Sequence, residues 1–245
     1  MKHRSPVRPG DPELAIRLKR EVDGDVLFDK GSRGRYSTDA SIYQIEPVGV
    51  VVAHSMEGVQ AALGVAADAG VPVLPRGGGT SQCGQTVGEA LVVDVSRLDS
   101  IGEVDRDNQS VRVQPGVVLD ELNAHLKSMG LFFPVDVSTA NRATIGGMAG
   151  NNSCGSRSIR YGNMVHNVRS IEALLSDGSR LRAGPIASNL DGFAGTPQHL
   201  DIVQRLRTLG ARERDEIERR FPKLLRRVGG YNIDTIDPAG HNLAH

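Results

Sequence analysis

The stretch Val71-Pro72-Val73-Leu74-Pro75-Arg76-Gly77-Gly78-Gly79-Thr80-Ser81-Gln82-Cys83-Gly84 leaves this chain few ways to fold. An apolar segment of strand length ends at Pro75 and opens into three consecutive glycines, a threonine and a serine, with no bulky side chain before Gln82. Glycine has no Cβ, so the backbone can take positive φ and turn several N–H groups into one concavity. Such nests hold anions, phosphates above all. Arg76 adds a permanent positive charge, and Thr80 and Ser81 add hydroxyl donors. A glycine-rich surface turn without a ligand has the same composition, so this tract alone leaves both readings open.

Two common phosphate loops are excluded. Gly79 to Thr86 is one residue away from a P-loop, but Gln85 stands where the lysine must reach the phosphates, and Ala90-Leu91-Val92-Val93-Asp94-Val95 follows as a strand pattern rather than a helix. The dinucleotide fingerprint G-x-G-x-x-G opening a helix is absent here and around Gly146-Gly147.

A second tract of the same character runs from Pro134 to Arg157. It is crowded with small and amide side chains where a core element would need Leu, Val or Phe. Thr144 is placed to cap a short helix whose first N–H groups, Ile145 to Gly147, would face a ligand. Two such tracts, far apart in sequence, suggest a long ligand gripped at both ends.

The remaining chain alternates strand and helix. Asp11 with Pro12 starts a helix whose apolar side is Leu14, Ile16, Leu18 and Val22, and the glycine-rich Gly24 to Gly34 reads as a connection. Residues 1–34 are therefore expected to be an N-terminal helix and its connection, and residues 35–245 the ligand-binding domain. Val48 to Ala53, Met56 to Ala69 and Val71 to Leu74 read as strand, helix, strand, a β-α-β unit with a parallel pair beneath the loop. Strands follow at Ala90 to Val95, Ile101 to Val104 and Ser110 to Gln114, then a helix from Val118 to Met129 ending at Gly130. Asp177-Gly178 marks a hairpin, and helices are expected at Leu200 to Leu209 and Glu213 to Arg227. The nine Lys and Arg against four acids between Arg205 and Arg227 form either a docking face or, the better reading, a solvated amphipathic helix.

Composition limits the function classes. A chain of 245 residues, 39% apolar and with zero net charge, has the size and balance of a soluble globular protein, without a global field for nucleic acid or anionic membrane. No tryptophan and 4% aromatics argue against base-stacking platforms. Two cysteines are too few for a cysteine-bound iron–sulfur cluster, imply no disulfide, and fit a reducing, cytoplasmic setting. The N-terminus lacks the apolar run of a signal or anchor. His54, His125 and His166 are single histidines expected to be structural. His241 and His245 stand four apart and lack a third ligand, so no metal site is expected.

The motifs Pro75-Arg76-Gly77-Gly78-Gly79-Thr80-Ser81 with Gly84, Thr144-Ile145-Gly146-Gly147 with Ala149-Gly150-Asn151-Asn152, then Gly155-Ser156-Arg157 and Tyr161-Gly162, resemble one family. They are similar to the flavin-binding domain of FAD-linked oxidoreductases of the vanillyl-alcohol oxidase and p-cresol methylhydroxylase type, in the branch of D-lactate, glycolate and D-2-hydroxyglutarate dehydrogenases. The likeness covers roughly residues 36 to 184, and the order and spacing of the motifs make it specific. It implies an α+β fold of two small α/β subdomains with mixed sheets, FAD in the seam between them, and additional helices at both ends.

By that resemblance Arg76, Gly77, Gly78, Gly79, Thr80, Ser81 and Gly84 face the pyrophosphate. Ser138, Thr139, Thr144, Gly146 and Gly147 line the ring and ribityl side, and Asn151, Asn152, Gly155, Ser156 and Arg157 complete the cleft. Family members that tether FAD use a histidine in or near these tracts. Ser81 and Gly84 occupy that region here, which implies non-covalent FAD. The implied activity is oxidation of a D-2-hydroxy acid by hydride transfer to flavin N5, with an iron–sulfur domain or other electron acceptor as partner. Gly229 to Asp234 and Asn242 to Ala244 look like the approach to a Gly-Ser-Glu-Gly-Thr element, so the substrate-binding half and the catalytic base are expected outside this sequence. A sugar or lactone oxidase on the same scaffold, or an FAD-binding module without turnover, are the alternatives.

Overall fold

The computed structural model describes residues 7–190, 193, 195–224, 227–228, 231–237 and 240–245. Met1 to Pro6 of the basic N-terminus, Leu225 and Arg226 of the expected last helix, and Gly229 and Gly230 lie outside the described residues. The chain divides into two units. The first takes in the chain up to Phe133 with Ser138–Gly150 and Ser176–Gly178, and the second Pro134–Val137, Asn151–Leu175 and the chain from Ser179 on.

In the first unit, helix α1 (Pro12–Glu21) starts as its sequence dictates: the Asp11 carboxylate accepts from the Leu14 amide at 2.8 Å, and proline takes the first turn, where its missing N–H costs nothing. Leu14, Leu18 and Val22 are buried in the main core cluster, while Ile16, expected on the apolar side, is 67% exposed.

Gly24 to Gly34 is not a simple connection. Gly24–Leu27 forms strand β1, and Asp29 caps helix α2 (Lys30–Tyr36) by accepting from the Ser32 amide at 2.9 Å. The glycines misled because β1 is only four residues long and draws its hydrogen bonds from a partner distant in sequence. It pairs antiparallel with β2 (Gly49–Ala53), which is buried at every position.

Helix α3 (Met56–Ala69) is capped by the Ser55 hydroxyl and closed by Gly70 at φ 67°. Strands β3 (Val73–Arg76) and β4 (Leu91–Asp94) complete a sheet of order β1-β2-β4-β3. The expected parallel arrangement is present, but β4 lies between β2 and β3, so the parallel partner of β3 is β4. Pro75 explains the edge position of β3, since a proline lacks the N–H a central strand needs on both sides. Strands β5 (Ile101–Asp105) and β6 (Ser110–Val113) pair antiparallel. Helix α4 (Leu119–Lys127) follows, with Gly130 at φ 71° just past its end, and then the short helix α5 (Ile145–Gly150).

The second unit contains helix α6 (Ser158–Tyr161), a 3-10 turn at Met164–Asn167, the antiparallel pair β7 (Ile171–Leu174) and β8 (Arg180–Ala183), strand β9 (Pro185–Ala187), and helices α7 (Pro197–Arg212) and α8 (Arg214–Arg220). Helix α8 stops earlier than expected because Pro222 disfavours helical geometry at Phe221. Several of the basic side chains here face local acids: Arg205 with Asp201, Arg212 with Glu213, and Arg219 and Arg220 with Glu216. His241 sits in strand β10 (Gly240–Asn242), which pairs with β9, so His241 and His245 do not share a helical face. Among the described residues no helix is long and apolar enough to cross a membrane.

Candidate functional site

Strands β3 and β4 run parallel, and the glycine tract leaves β3 at its C-terminal end, the end at which open α/β sheets bind ligands. Gly77 and Gly78 turn against the second tract. A Cβ built on Gly77 would lie 2.1 Å from Thr144 Oγ1, and one on Gly78 would lie 2.2 Å from the Arg142 carbonyl oxygen. The two side-chain-poor tracts thus meet within the first unit, and only glycine permits the approach. Gly79 and Gly84 adopt φ 63° and 73°, the left-handed region. Among the described residues, none accepts a hydrogen bond from the amides of Gly78, Gly79, Thr80 or Ser81. The Ser81 hydroxyl is engaged inside its own loop: it donates to Gln85 Oε1 at 2.9 Å and accepts from the Cys83 amide at 3.2 Å.

Arg76 is positioned by features the sequence reading missed. Its guanidinium donates to the carbonyls of Tyr36 and Thr86, both at 3.2 Å, and of Thr38 at 2.9 Å, and lies 5.1 Å from the centroid of the Tyr36 ring. The Tyr36 hydroxyl donates to Asp94 Oδ2 at 2.6 Å, and the buried Asp94 also accepts from the Ser96 amide at 2.7 Å. Burial, reinforced by the Asp94 carboxylate, pushes the Tyr36 phenol well above its ordinary value. Tyr43 packs where a Cβ on Gly84 would point, and Asp39 accepts from the Thr86 hydroxyl at 3.1 Å. One signal for this network was present in the sequence: Asp94 ends an otherwise apolar strand, and a charge in such a strand calls for a partner.

The second tract is anchored differently from expectation. The Ile145 and Gly146 amides, expected to face a ligand, donate instead to the carbonyls of Val117 at 2.8 Å and Pro115 at 2.9 Å. Thr144 does act as a cap, its hydroxyl accepting from the Gly147 amide at 3.4 Å. The start of α5 is therefore closed by protein carbonyls, and the helix has only six residues. Ser138 and Thr139 lie in the turn leading to α5, where the Thr139 carbonyl accepts from the amides of Arg142 and Ala143.

The remaining expected residues belong to the second unit. Asn151 donates to the Ser153 hydroxyl at 3.0 Å. Asn152, at φ 45°, accepts from the Val165 amide at 3.0 Å. Gly155 lies so close to Asp136 that a Cβ would sit 1.9 Å from its carbonyl oxygen. The Asp136 carboxylate accepts from the Ser156 hydroxyl at 2.8 Å and the Arg157 amide at 3.0 Å. Burial raises this carboxyl, but those donors outweigh it and hold Asp136 below its ordinary value. His166 is structural: its Nδ1 accepts from the Asn163 amide at 2.9 Å. His54 lies beside Asp25 at 3.3 Å, and His125 is exposed on α4.

What this arrangement suits is a diphosphate. Four consecutive amides at the end of β3 find no acceptor among the described residues, and Gly79 and Gly84 at positive φ shape the loop that carries them, which makes them available donors for phosphate oxygens. The FAD binding domain family matches residues 47–184. The chain is 38% identical over 216 residues to a D-2-hydroxyglutarate dehydrogenase of Pantoea ananatis, covering 86% of this chain and 21% of that protein. It is 34% identical over 195 residues to the glycolate oxidase subunit GlcD of Bacillus subtilis, covering 75% and 42%. A solved structure of p-cresol methylhydroxylase with substrate bound superposes with a TM-score of 0.58 at 16% identity, over 77% of this chain and 37% of that one. The chain spans about a fifth of the length of the curated D-2-hydroxyglutarate dehydrogenases it matches.

Proposed function

The chain belongs to the FAD binding domain family, and on that premise we propose that it holds the FAD of a flavin-dependent oxidoreductase acting on a D-2-hydroxy acid such as D-2-hydroxyglutarate, D-lactate or glycolate. The observation that carries this reading is the run of amides from Gly78 to Ser81 that find no acceptor among the described residues, set at the end of a parallel strand where Gly77 meets Thr144 and Gly78 meets Arg142. These amides hold the diphosphate. Gly77, Gly79 and Gly84 give the loop its shape, and Arg76 fixes its root. The flavin, when bound, accepts the hydride from the carbon bearing the substrate hydroxyl. This chain's own part is to bind the cofactor, orient it and hold it without a covalent tether. In the first unit Ser138, Thr139, Thr144, Gly146 and Gly147 are assigned to the ring and ribityl side of the cofactor.

The dehydrogenase and oxidase names of the relatives support the 2-hydroxy-acid class. A second reading is an FAD-holding module without turnover of its own, since the family match over residues 47–184 is to FAD binding alone. We assign no base to these residues, and place the electron acceptor, an iron–sulfur domain or another partner, outside them. A cytoplasmic location is supported by Cys83 and Cys154 both being thiols.

The test is to titrate the full-length protein with FAD while following flavin fluorescence, then to add D-2-hydroxyglutarate, D-lactate and glycolate anaerobically and follow the visible flavin band. Binding with bleaching by one of them supports the dehydrogenase. Binding without bleaching by any supports the module, and absence of binding overturns both.

A further inference from the structure

We propose that Arg76 is a positioning residue that holds the glycine loop ready for the diphosphate, rather than a charge that contacts it. This rests on the reading of the loop as the FAD diphosphate site. Three observations carry it. The guanidinium donates to three carbonyls, those of Tyr36, Thr38 and Thr86, which belong to two segments flanking the loop on either side in sequence. Its face is taken by the Tyr36 ring, and that ring is itself fixed by the bond from its hydroxyl to buried Asp94, the register partner of Arg76 across β3 and β4. The loop also folds back on the guanidinium: a Cβ on Gly79 would come within 2.5 Å of an Arg76 terminal nitrogen.

A planar fork of five N–H groups can serve carbonyls in several directions at once, whereas a lysine ammonium is a compact charge on a flexible stem. Among the described residues the amides of Gly78 to Ser81 have no acceptors of their own, so their orientation depends on what anchors the loop at both ends. Arg76 joins those ends. The Tyr36 and Thr38 carbonyls belong to the segment before the sheet crossover, and the Thr86 carbonyl to the segment after the loop. If losing the clamp leaves the loop competent about a tenth of the time, FAD binding weakens about tenfold.

The experiment compares wild type, Arg76→Lys, Arg76→Met and Tyr36→Phe in the full-length protein by FAD titration at several ionic strengths and by amide hydrogen exchange without FAD. Arg76→Lys, which keeps the charge, is expected to bind FAD about tenfold more weakly, with exchange accelerated at residues 36–44 and 77–87 and unchanged in α3. Arg76→Met is expected to show the same salt dependence as wild type. Tyr36→Phe removes one hydroxyl and should weaken binding in the same direction, about threefold, so the test survives if the Arg76 variants fail to fold. The proposal is overturned if Arg76→Lys binds within twofold of wild type while Arg76→Met loses salt dependence, the signature of a direct charge contact, or if Tyr36→Phe changes neither affinity nor exchange. Wild type failing to bind FAD would overturn the reading of the loop alone, because the exchange measurements report the clamp without ligand.

Discussion

Gly77 sits against Thr144, with room for a hydrogen but not for a methyl: an added Cβ would be 2.1 Å from the threonine Oγ1. The neighbouring Gly78 meets the Arg142 carbonyl oxygen at 2.2 Å by the same measure. The difference in neighbour sets the prediction. Gly77→Ala clashes with a side chain, so Thr144→Ala in the same molecule should restore much of the FAD affinity it loses. Gly78→Ala clashes with backbone, and no side-chain change should rescue it. FAD titration of the two alanine variants and the double variant measures this as a coupling between positions 77 and 144. Additive effects at those positions would contradict the contact.

The Tyr36 phenol, raised by burial and by Asp94, ties stability to alkaline pH. In the unfolded chain it ionises near pH 10, and in the folded chain higher. The stabilisation is therefore fully present below about pH 10 and is lost as pH rises from there toward the folded value. Tyr36→Phe should lower stability at pH 8 by about 1 kcal/mol or more, since Asp94 loses a donor, yet flatten the alkaline decline. Denaturant midpoints at pH 8 and above pH 10 check both halves. A variant with an unchanged alkaline limb would show that Tyr36 does not carry it.

The convergence of the tracts was legible in the sequence because it depends on the absence of side chains, and absence is what Gly77-Gly78-Gly79 spells out; Gly146 instead packs against Pro115. The starts of α1 and α5 were legible too: Asp11 and Thr144 cap where residue type alone places them. What was hidden depends on backbone carbonyls, which carry no residue identity. Nothing in Pro115 or Val117 announces that they accept from Gly146 and Ile145, and nothing in Thr38 or Thr86 that they accept from Arg76. Strand β1 was hidden for a related reason, since its four residues become a strand only beside β2.

Helix α1 is part of the core rather than an appendage to it. Leu18 is fully buried, in one cluster with Val51 of β2, Val65 of α3 and Leu91 of β4, whereas Ile16 two residues earlier is 67% exposed. Leu18→Ala should cost about 2–5 kcal/mol by removing buried methyls and leaving a cavity. Ile16→Ala should stay within about 0.5 kcal/mol of wild type. Equal effects in chemical denaturation would place the helix outside the core.

In the second unit, Asp136 and Gly155 act together. Because the Asp136 carboxyl is held below its ordinary value by Ser156 and Arg157 despite some burial, its stabilisation is present above that value and is lost as pH falls through the lower folded one. Asp136→Asn should therefore lower stability at neutral pH and make the acid limb shallower. Gly155→Ala drives a methyl into the Asp136 carbonyl and should cost about 1–3 kcal/mol or more at any pH. Acid titrations of the two variants separate the charge effect from the steric one, since only the first should change slope.

The amides of Gly78 to Ser81 have no acceptors among the described residues, so a bound diphosphate gains interactions that the unfolded chain cannot offer, and FAD should stabilise the folded state by mass action. At about 100 times its Kd, FAD should contribute about 2.7 kcal/mol, equivalent to a rise of roughly 5–10 °C in melting midpoint for a protein of this size. FMN has the same ring and one phosphate but no diphosphate bridge, and should give a much smaller shift at equal concentration. ADP, which has the diphosphate and no flavin, should give a measurable one. Gly78→Ala should reduce the responses to FAD and ADP together, because both depend on the same loop. If FMN raised the midpoint as far as FAD, or if Gly78→Ala left the ADP response intact, the loop would not be the diphosphate holder, whatever else binds the ring.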